Sequence, residues 1–490
     1  MSRDQAIAQA LACFDDGRFQ HLLARRVAVR TESQDAGSGA ALLAYLREEI
    51  APQLERMGFG WRIVDNPALP RCPFLFAERR ETDAAFTLLT YGHGDVVRGH
   101  DAQWRQGLGP WELVVDGPRW HGRGTADNKG QHTINLTALE QVLAVRGGRL
   151  GYDVKIIFEM GEETGSPGLD EVCAQHRELL RADLFLASDG PRVAASRATM
   201  FLGSRGVFNF DLHVTLREGS HHSGNWGGLL RNPGIRLAHA IASLVDARGR
   251  IAVPGLRPVE LPAGVRRALR DIEFGGAPGD PEIDPDWGEP GLTPAERLIG
   301  WNSLEVLAFT TGSPASPVHA IPGEAHACCH MRFVVGSDVA NFLAHIRAHL
   351  DAGGFDDVEL RPSDFFMAAT RLDPDDAWVR LGLASMERST GTRPALLPNL
   401  GGSLPNDVFA QTLGLPTLWV PHSYPACSQH APNEHLLADL AREALQIMAG
   451  LFWDLAEEGP AVMRARAWIA DTLRGVEFTA LARGGSVGRS

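Results

Sequence analysis

The sequence predicts an α/β fold: a mostly parallel sheet with helices, interrupted by an inserted α+β domain. Three observations predict it. Short apolar runs alternate with longer segments whose apolar residues recur every three or four positions. Several of the short runs end in ionisable residues, as strands of an open α/β sheet do at their carboxyl edge. After Gly206 the pattern becomes an apolar–polar alternation, and it reverts near residue 371. The 490 residues exceed one ordinary core. The blocks are therefore 1–204 and 371–490 for the larger domain, with 205–370 as the insert and a tail at the C-terminus.

Residues 4–29 have helical spacing, and Ala40–Met57 repeats it up to Gly58. Ala85–Tyr91 is expected as a buried strand. A helix over Thr133–Val145 stops at Gly147 and Gly148. Val154–Met160 and Asp183–Ala187 are two further strands, so strands and helices alternate as βαβ units do. In the insert, Val207–Leu216 alternates like a half-solvated antiparallel strand. Asn232–Ala247 is a helix, 274–294 a Gly-, Pro- and Asp-rich surface loop, Ala325–Val335 a strand and Val339–Leu350 a helix. Thr417–Val420 then gives a strand and Leu436–Leu455 a helix. The tail after Gly459 is partly helical, with a Gly/Ser-rich end expected to fray. No internal repeat is visible.

Hydrophobic residues make up 44% and charged residues 22%, a soluble globular balance. A net charge of -13 argues against nucleic-acid binding, which needs clustered Lys and Arg. The N-terminus has no long apolar stretch, so neither a signal peptide nor a membrane span is read and a cytoplasmic protein is expected. The six cysteines, Cys13, Cys72, Cys173, Cys328, Cys329 and Cys427, show no Cys-x-x-Cys spacing. They are expected to be reduced and mostly buried.

Five separated clusters carry chemistry. Tyr91-Gly-His-Gly-Asp95 follows a strand, and the period of two lets His93 and Asp95 point the same way. A carboxylate so placed can hold the second ring nitrogen of a metal-binding imidazole. Gly122–Gly130 places Asp127 and Asn128 before a helix, where they could equally be cap or turn residues. Glu162 and Glu163 follow the Val154–Met160 run. Two adjacent anions repel each other, so a nearby cation would explain them. Ala187-Ser-Asp-Gly190 offers Asp189, and Ser428–Glu434 offers His430. Together His93, Asp127, Glu163, Asp189 and His430 form a set of two histidines and three carboxylates. Such N and O donors suit zinc, with manganese or cobalt as alternatives. Two ions sharing Asp127 would make a co-catalytic pair.

In this order, the clusters resemble the dizinc metallopeptidase family of carnosinases, glutamate carboxypeptidases, aminoacylases, acetylornithine deacetylases and succinyl-diaminopimelate desuccinylases. The likeness runs from about residue 15 to 455. It implies a zinc-hydrolase catalytic domain with two zinc ions bridged by Asp127. His93 and Asp189 would complete one ion, Glu163 and His430 the other. Glu162 would be the general base and Asp95 would orient His93. The Asp127–Asn128 peptide is expected to be cis, although relatives usually carry Asp at the second position.

The insert resembles the family's lid and dimerisation domain, so a homodimer is implied. His222, in Gly219–Gly224, would stabilise the oxyanion across that dimer. Arg332 would hold a substrate carboxylate, and Gly401, Gly402 and Ser403 of Gly-Gly-Ser-Leu-Pro would line the substrate's C-terminal end. His100, His121, His132 and His319 have no matching role. The implied activity is hydrolysis of an amide in a small peptide, or alternatively in an N-acyl amino acid. A non-catalytic metal-binding assembly protein is the remote alternative, disfavoured because all five ligands and Glu162 are present.

Overall fold

The computed structural model describes residues 1–276 and 281–483. The chain forms two compact units. One comprises Met1–Met200, Pro374–Ala395 and the residues from Val408 onward; the other comprises Phe201–Asp373 and Leu396–Asp407. The segment Leu396–Asp407 carries Gly401–Ser403 and groups with the second unit, whereas the sequence assigns all of 371–490 to the larger domain.

An eight-stranded sheet, most of it in the first unit, runs in the order Gly60–Val64, Phe74–Arg79, Asp153–Glu159, Thr87–His93, Leu184–Ala187, Thr417–Trp419, Thr199–Phe201, Ala395–Leu397. The 153–159, 87–93, 184–187 and 417–419 strands pair in parallel. The first two strands in that order are antiparallel. Leu88, Leu89, Ile156, Ile157, Leu184 and Phe185 are fully or almost fully buried, as strands covered on both faces require. Each such side chain contributes about 1.5–3 kcal/mol by leaving water. Because the central strands run the same way, His93, the turn after Glu159 and the turn after Ala187 share the carboxyl edge of the sheet.

The second unit is built on an antiparallel sheet ordered Ser303–Thr310, Glu324–Phe333, Gly206–Thr215, Val358–Met367. The alternation read from the sequence holds: Phe208, Phe210, Leu212 and Val214 turn inward with Ala325, Ala327, Cys329 and Met331. Leu237 and Leu244 of the Pro233–Leu244 helix, and Phe342, Ile346 and Leu350 of Phe342–Ala352, close that core. The intervening residues are left on the opposite, open face.

Some expectations needed revision. The 4–29 helix is two helices, Arg3–Asp15 and Arg18–Ala28, parted at Gly17, whose φ of 84° is a left-handed break. The 133–145 helix begins four residues earlier, at Lys129. Lys129–Leu139 is buried on every side, so no amphipathic stripe marks its start. Leu436 lies in the strand His435–Leu437, and the last helix starts at Ala438 and runs to Arg483. The Gly/Ser-rich end from 484 and part of the 274–294 loop, residues 277–280, lie outside the described residues. No helix among the described residues is long and apolar enough to cross a membrane.

Candidate active site

Six side chains singled out by sequence converge in the first unit. His93 ends its strand fully buried, and its Nε2 lies 2.9 Å from Asp127 Oδ1, 3.6 Å from Asp189 Oδ2 and 3.9 Å from Glu162 Oε2. His430 Nε2 lies 3.0 Å from Asp127 Oδ2 and 3.0 Å from Glu163 Oε2. Asp127 thus stands between two imidazoles, one on each carboxylate oxygen. His430 is half exposed, and its backbone has a φ of 59°, an unusual conformation for a non-glycine residue.

Local structure explains these positions. After Glu159 the chain makes a single 3-10 turn, Glu162–Thr164. Asp95 holds that turn from below: its Oδ1 accepts the Glu162 N–H at 3.2 Å and its Oδ2 the Glu163 N–H at 3.1 Å. The same carboxylate is 3.4 Å from His93 Nδ1, which is nearer the Asp95 carbonyl at 3.1 Å. Asp95 therefore fixes the paired glutamates as well as approaching His93. The Asp127–Asn128 peptide is cis. Asn128 does not cap the helix that follows; its amide donates to Ser188 O at 2.8 Å, beside Asp189. Gly130 admits no larger residue, because a Cβ there would lie 1.9 Å from Thr125 O.

Sequence reasoning missed Glu434 and Gln429. Glu434 is buried; its Oε1 accepts the N–H groups of Gly124, Ala126 and Asp127 at 3.1, 2.9 and 3.1 Å, and its Oε2 pairs with buried Arg123 at 2.7 Å. It shapes the loop that ends in Asp127. Gln429 donates to Asp127 Oδ2. The signal available was Glu434 itself, four residues after His430. Breaking a buried ion pair costs about 3–5 kcal/mol, so Glu434→Gln is expected to destabilise the metal-free protein by that amount. Urea unfolding measures it; a loss under about 1 kcal/mol would remove Glu434 from this role.

The electrostatics suit a cation. Burial pushes the carboxyl of Glu163 up to about 7, with the neighbouring Asp127 charge adding to it. Burial and the same charge push Asp189 up to about 6. Burial, then Asp189 and Glu163, hold Glu162 well above the usual carboxylate range, against the opposing pull of His93. Hydrogen bonds to Asp127 and Glu163 raise His430 to about 11. Asp189 Oδ2 is buried without a hydrogen-bond partner among the described residues. Crowded, buried anions with an orphaned oxygen and two imidazoles fit a site for divalent metal, and His93, Asp127 and Glu163 offer donor atoms all within 4.8 Å of one another.

The remaining predicted residues lie in the second unit. His222 is exposed and its Nδ1 accepts the Gly224 N–H at 3.1 Å, which leaves Nε2 as the protonated nitrogen of the neutral ring. Arg332 donates to Ser403 Oγ. Ser403 Oγ in turn donates to Arg205 O at 2.7 Å, and Arg205 Nε donates to Gly401 O at 2.7 Å. Gly402 lies between these two anchored residues. Arg205 and Arg332 line a cavity of about 550 Å³ whose other walls include Trp287, Leu298, Trp301 and Leu307. Arg205 was not singled out by sequence.

The family model described as Peptidase family M20/M25/M40 matches residues 89–454. The chain is 30% identical over 269 residues to the cysteinylglycine-S-conjugate dipeptidase of Corynebacterium striatum, covering 52% of this chain and 57% of that one. It is 26% identical over 439 residues to the Cys-Gly metallodipeptidase dug1 of Schizosaccharomyces pombe, covering 84% and 89%. The chain spans about half the length of the curated relatives it matches first. In fold it resembles the M20 family metallo-carboxypeptidase Sso-CP2 of Sulfolobus solfataricus, with a TM-score of 0.75 at 24% identity, covering 89% of this chain and 99% of that one.

Proposed function

Because the chain belongs to the peptidase family M20/M25/M40, we propose that it is a metal-dependent hydrolase cleaving the amide bond of a small substrate with a free carboxylate, a dipeptide. One observation carries this reading: Glu162 stands 3.9 Å from His93 Nε2, beside a carboxylate, Asp127, that two imidazoles share. An N-acyl amino acid would use the same residues. The dipeptidase names of the relatives favour the peptide.

His93, Asp127 and Asp189 would hold one divalent ion and Asp127, Glu163 and His430 another, with zinc the first choice and manganese or cobalt next. Such ions, when bound, supply Lewis acidity that acidifies a water and polarises the scissile carbonyl. Glu162 takes the proton from the attacking water and returns it to the leaving amine nitrogen. Asp95 keeps Glu162 in register with its neighbour through the two backbone N–H groups. His222, acting in a homodimer, donates its Nε2–H to the oxyanion. A cytoplasmic location belongs to the same reading.

Arg332, steadied by Ser403 and the Gly401–Gly402 loop, takes the substrate's carboxylate, and the cavity beside it takes the C-terminal side chain. Arg332→Ala is expected to raise KM about 10- to 100-fold, the worth of a charge-assisted hydrogen bond, with a smaller change in kcat. An unchanged KM for every dipeptide tested would place the carboxylate elsewhere.

The decisive experiment uses the purified chain loaded with zinc, manganese or cobalt. Dipeptides and N-acetyl, N-succinyl and N-aroyl amino acids are offered in parallel. Hydrolysis of dipeptides ahead of the acylated amino acids is expected. No hydrolysis of any member, with metal bound, would overturn the enzyme reading.

A further inference from the structure

We infer that the open face of the second unit's sheet carries a separate site for a zinc-type divalent ion, formed by Asp211, His213 and His326 with Cys328 as fourth donor. The register builds it. His326 lies directly opposite His213, and Cys328 opposite Asp211, on the neighbouring strands Glu324–Phe333 and Gly206–Thr215. Alternate residues of a strand share a face, and opposed Cβ atoms stand about 4.5–5.5 Å apart. Four side chains of ligand type therefore occupy one two-by-two patch. No local sequence spacing announces it, because the donors come from strands over 100 residues apart.

The distances fit a coordination shell. His326 Nε2 is 3.4 Å from Asp211 Oδ1 and 3.5 Å from Cys328 Sγ. A charge-assisted N–H···O bond is about 2.7–2.9 Å. The ligand–ligand edges of a tetrahedral ion with ordinary Zn–N, Zn–O and Zn–S bonds are about 3.4 Å for N···O and about 3.5 Å for N···S. Asp211, His213 and His326 each offer a donor atom, all within 4.8 Å of one another. The His213 and His326 rings are stacked at 4.0 Å with planes 14° apart.

Asp211 is hydrogen-bonded by Cys328 and His326, members of the same patch. Arg361 is opposite Asp211 on the next strand, but its guanidinium is held by Glu359 at 2.6 and 2.8 Å. Cys328 is partly exposed, whereas the other five cysteines are buried. An ion here would join the two central strands of the sheet, one of which carries Arg332 four residues beyond Cys328.

The full-length protein, stripped with a chelator and retitrated with cobalt(II), tests this. A near-ultraviolet thiolate-to-cobalt charge-transfer band is expected, because the first unit's cluster of histidines and carboxylates contributes no thiolate. Cys328→Ser should remove the band. His326→Gln should bind one equivalent less metal than the wild type by elemental analysis, with dipeptide turnover in zinc retained. Reading the difference between the two proteins makes the result independent of how fully the first unit is loaded. A band lost in Cys328→Ser with the equivalent retained still supports the site, with water in place of sulfur. Equal metal content in wild type and His326→Gln overturns it. His213→Asn gives the same reading should His326→Gln fold poorly.

Discussion

Glu162→Gln is expected to lower kcat about 10³-fold, within the range that general acid–base catalysis supplies, while the protein binds metal as before. Glutamine keeps the size of the side chain and the backbone N–H that Asp95 accepts at 3.2 Å. It loses only the capacity to take and return a proton. Glu162 stands apart from the donors that meet on Asp127: His430 contacts Glu163 at 3.0 Å, whereas Glu162 approaches His93 no closer than 3.9 Å. Steady-state turnover and metal content, measured on the same preparation, separate the two roles. Full activity in the variant would assign the base elsewhere; loss of metal together with activity would make Glu162 a ligand.

Asp127→Ala is expected to be more severe, with turnover reduced on the order of 10⁴-fold, about 5.5 kcal/mol at 1.36 kcal/mol per decade. Each Asp127 oxygen faces a different imidazole, at 2.9 and 3.0 Å, so one substitution removes a donor from both cation positions. The expected signature is thermodynamic as well as kinetic. A ligand that binds only the folded state raises its stability by mass action. Zinc should therefore raise the wild-type Tm by more than it raises the variant's. A variant that retains the full zinc-induced shift would show that Asp127 is not shared.

Much of the candidate cluster was legible because four of its residues stand at strand ends. His93, Glu162, Glu163 and Asp189 each follow an apolar run, and the parallel pairing brings those ends to one edge. What the sequence hides is mostly buried on all sides or irregular. The Lys129–Val145 helix has no polar stripe over its first turns. The strand Val358–Met367 contains Pro362 and a register shift, so no clean alternation runs through it. The edge strand Ser303–Thr310 is exposed along most of its length, and apolar burial could not mark it. Glu434 and Arg123 were not singled out, since a pairing across 311 residues leaves no local trace. The alternation in Gly206–Thr215 showed which face is core, but not that Asp211 and His213 meet their partners from another strand.

The Glu434 latch has a consequence for the order in which the molecule is made. His430 and Glu434 reach Asp127 and its backbone across 303 and 307 residues, with the whole second unit synthesised in between. A chain emerging from the ribosome exposes His93, Asp127, Glu162, Glu163 and Asp189 long before either closing residue exists. During that interval the Asp127 loop lacks the acceptor for three of its N–H groups, and Arg123 lacks its counter-charge. The site is therefore a late product of translation: the segment that completes the donor set also closes the loop, and no N-terminal fragment ending before it holds both.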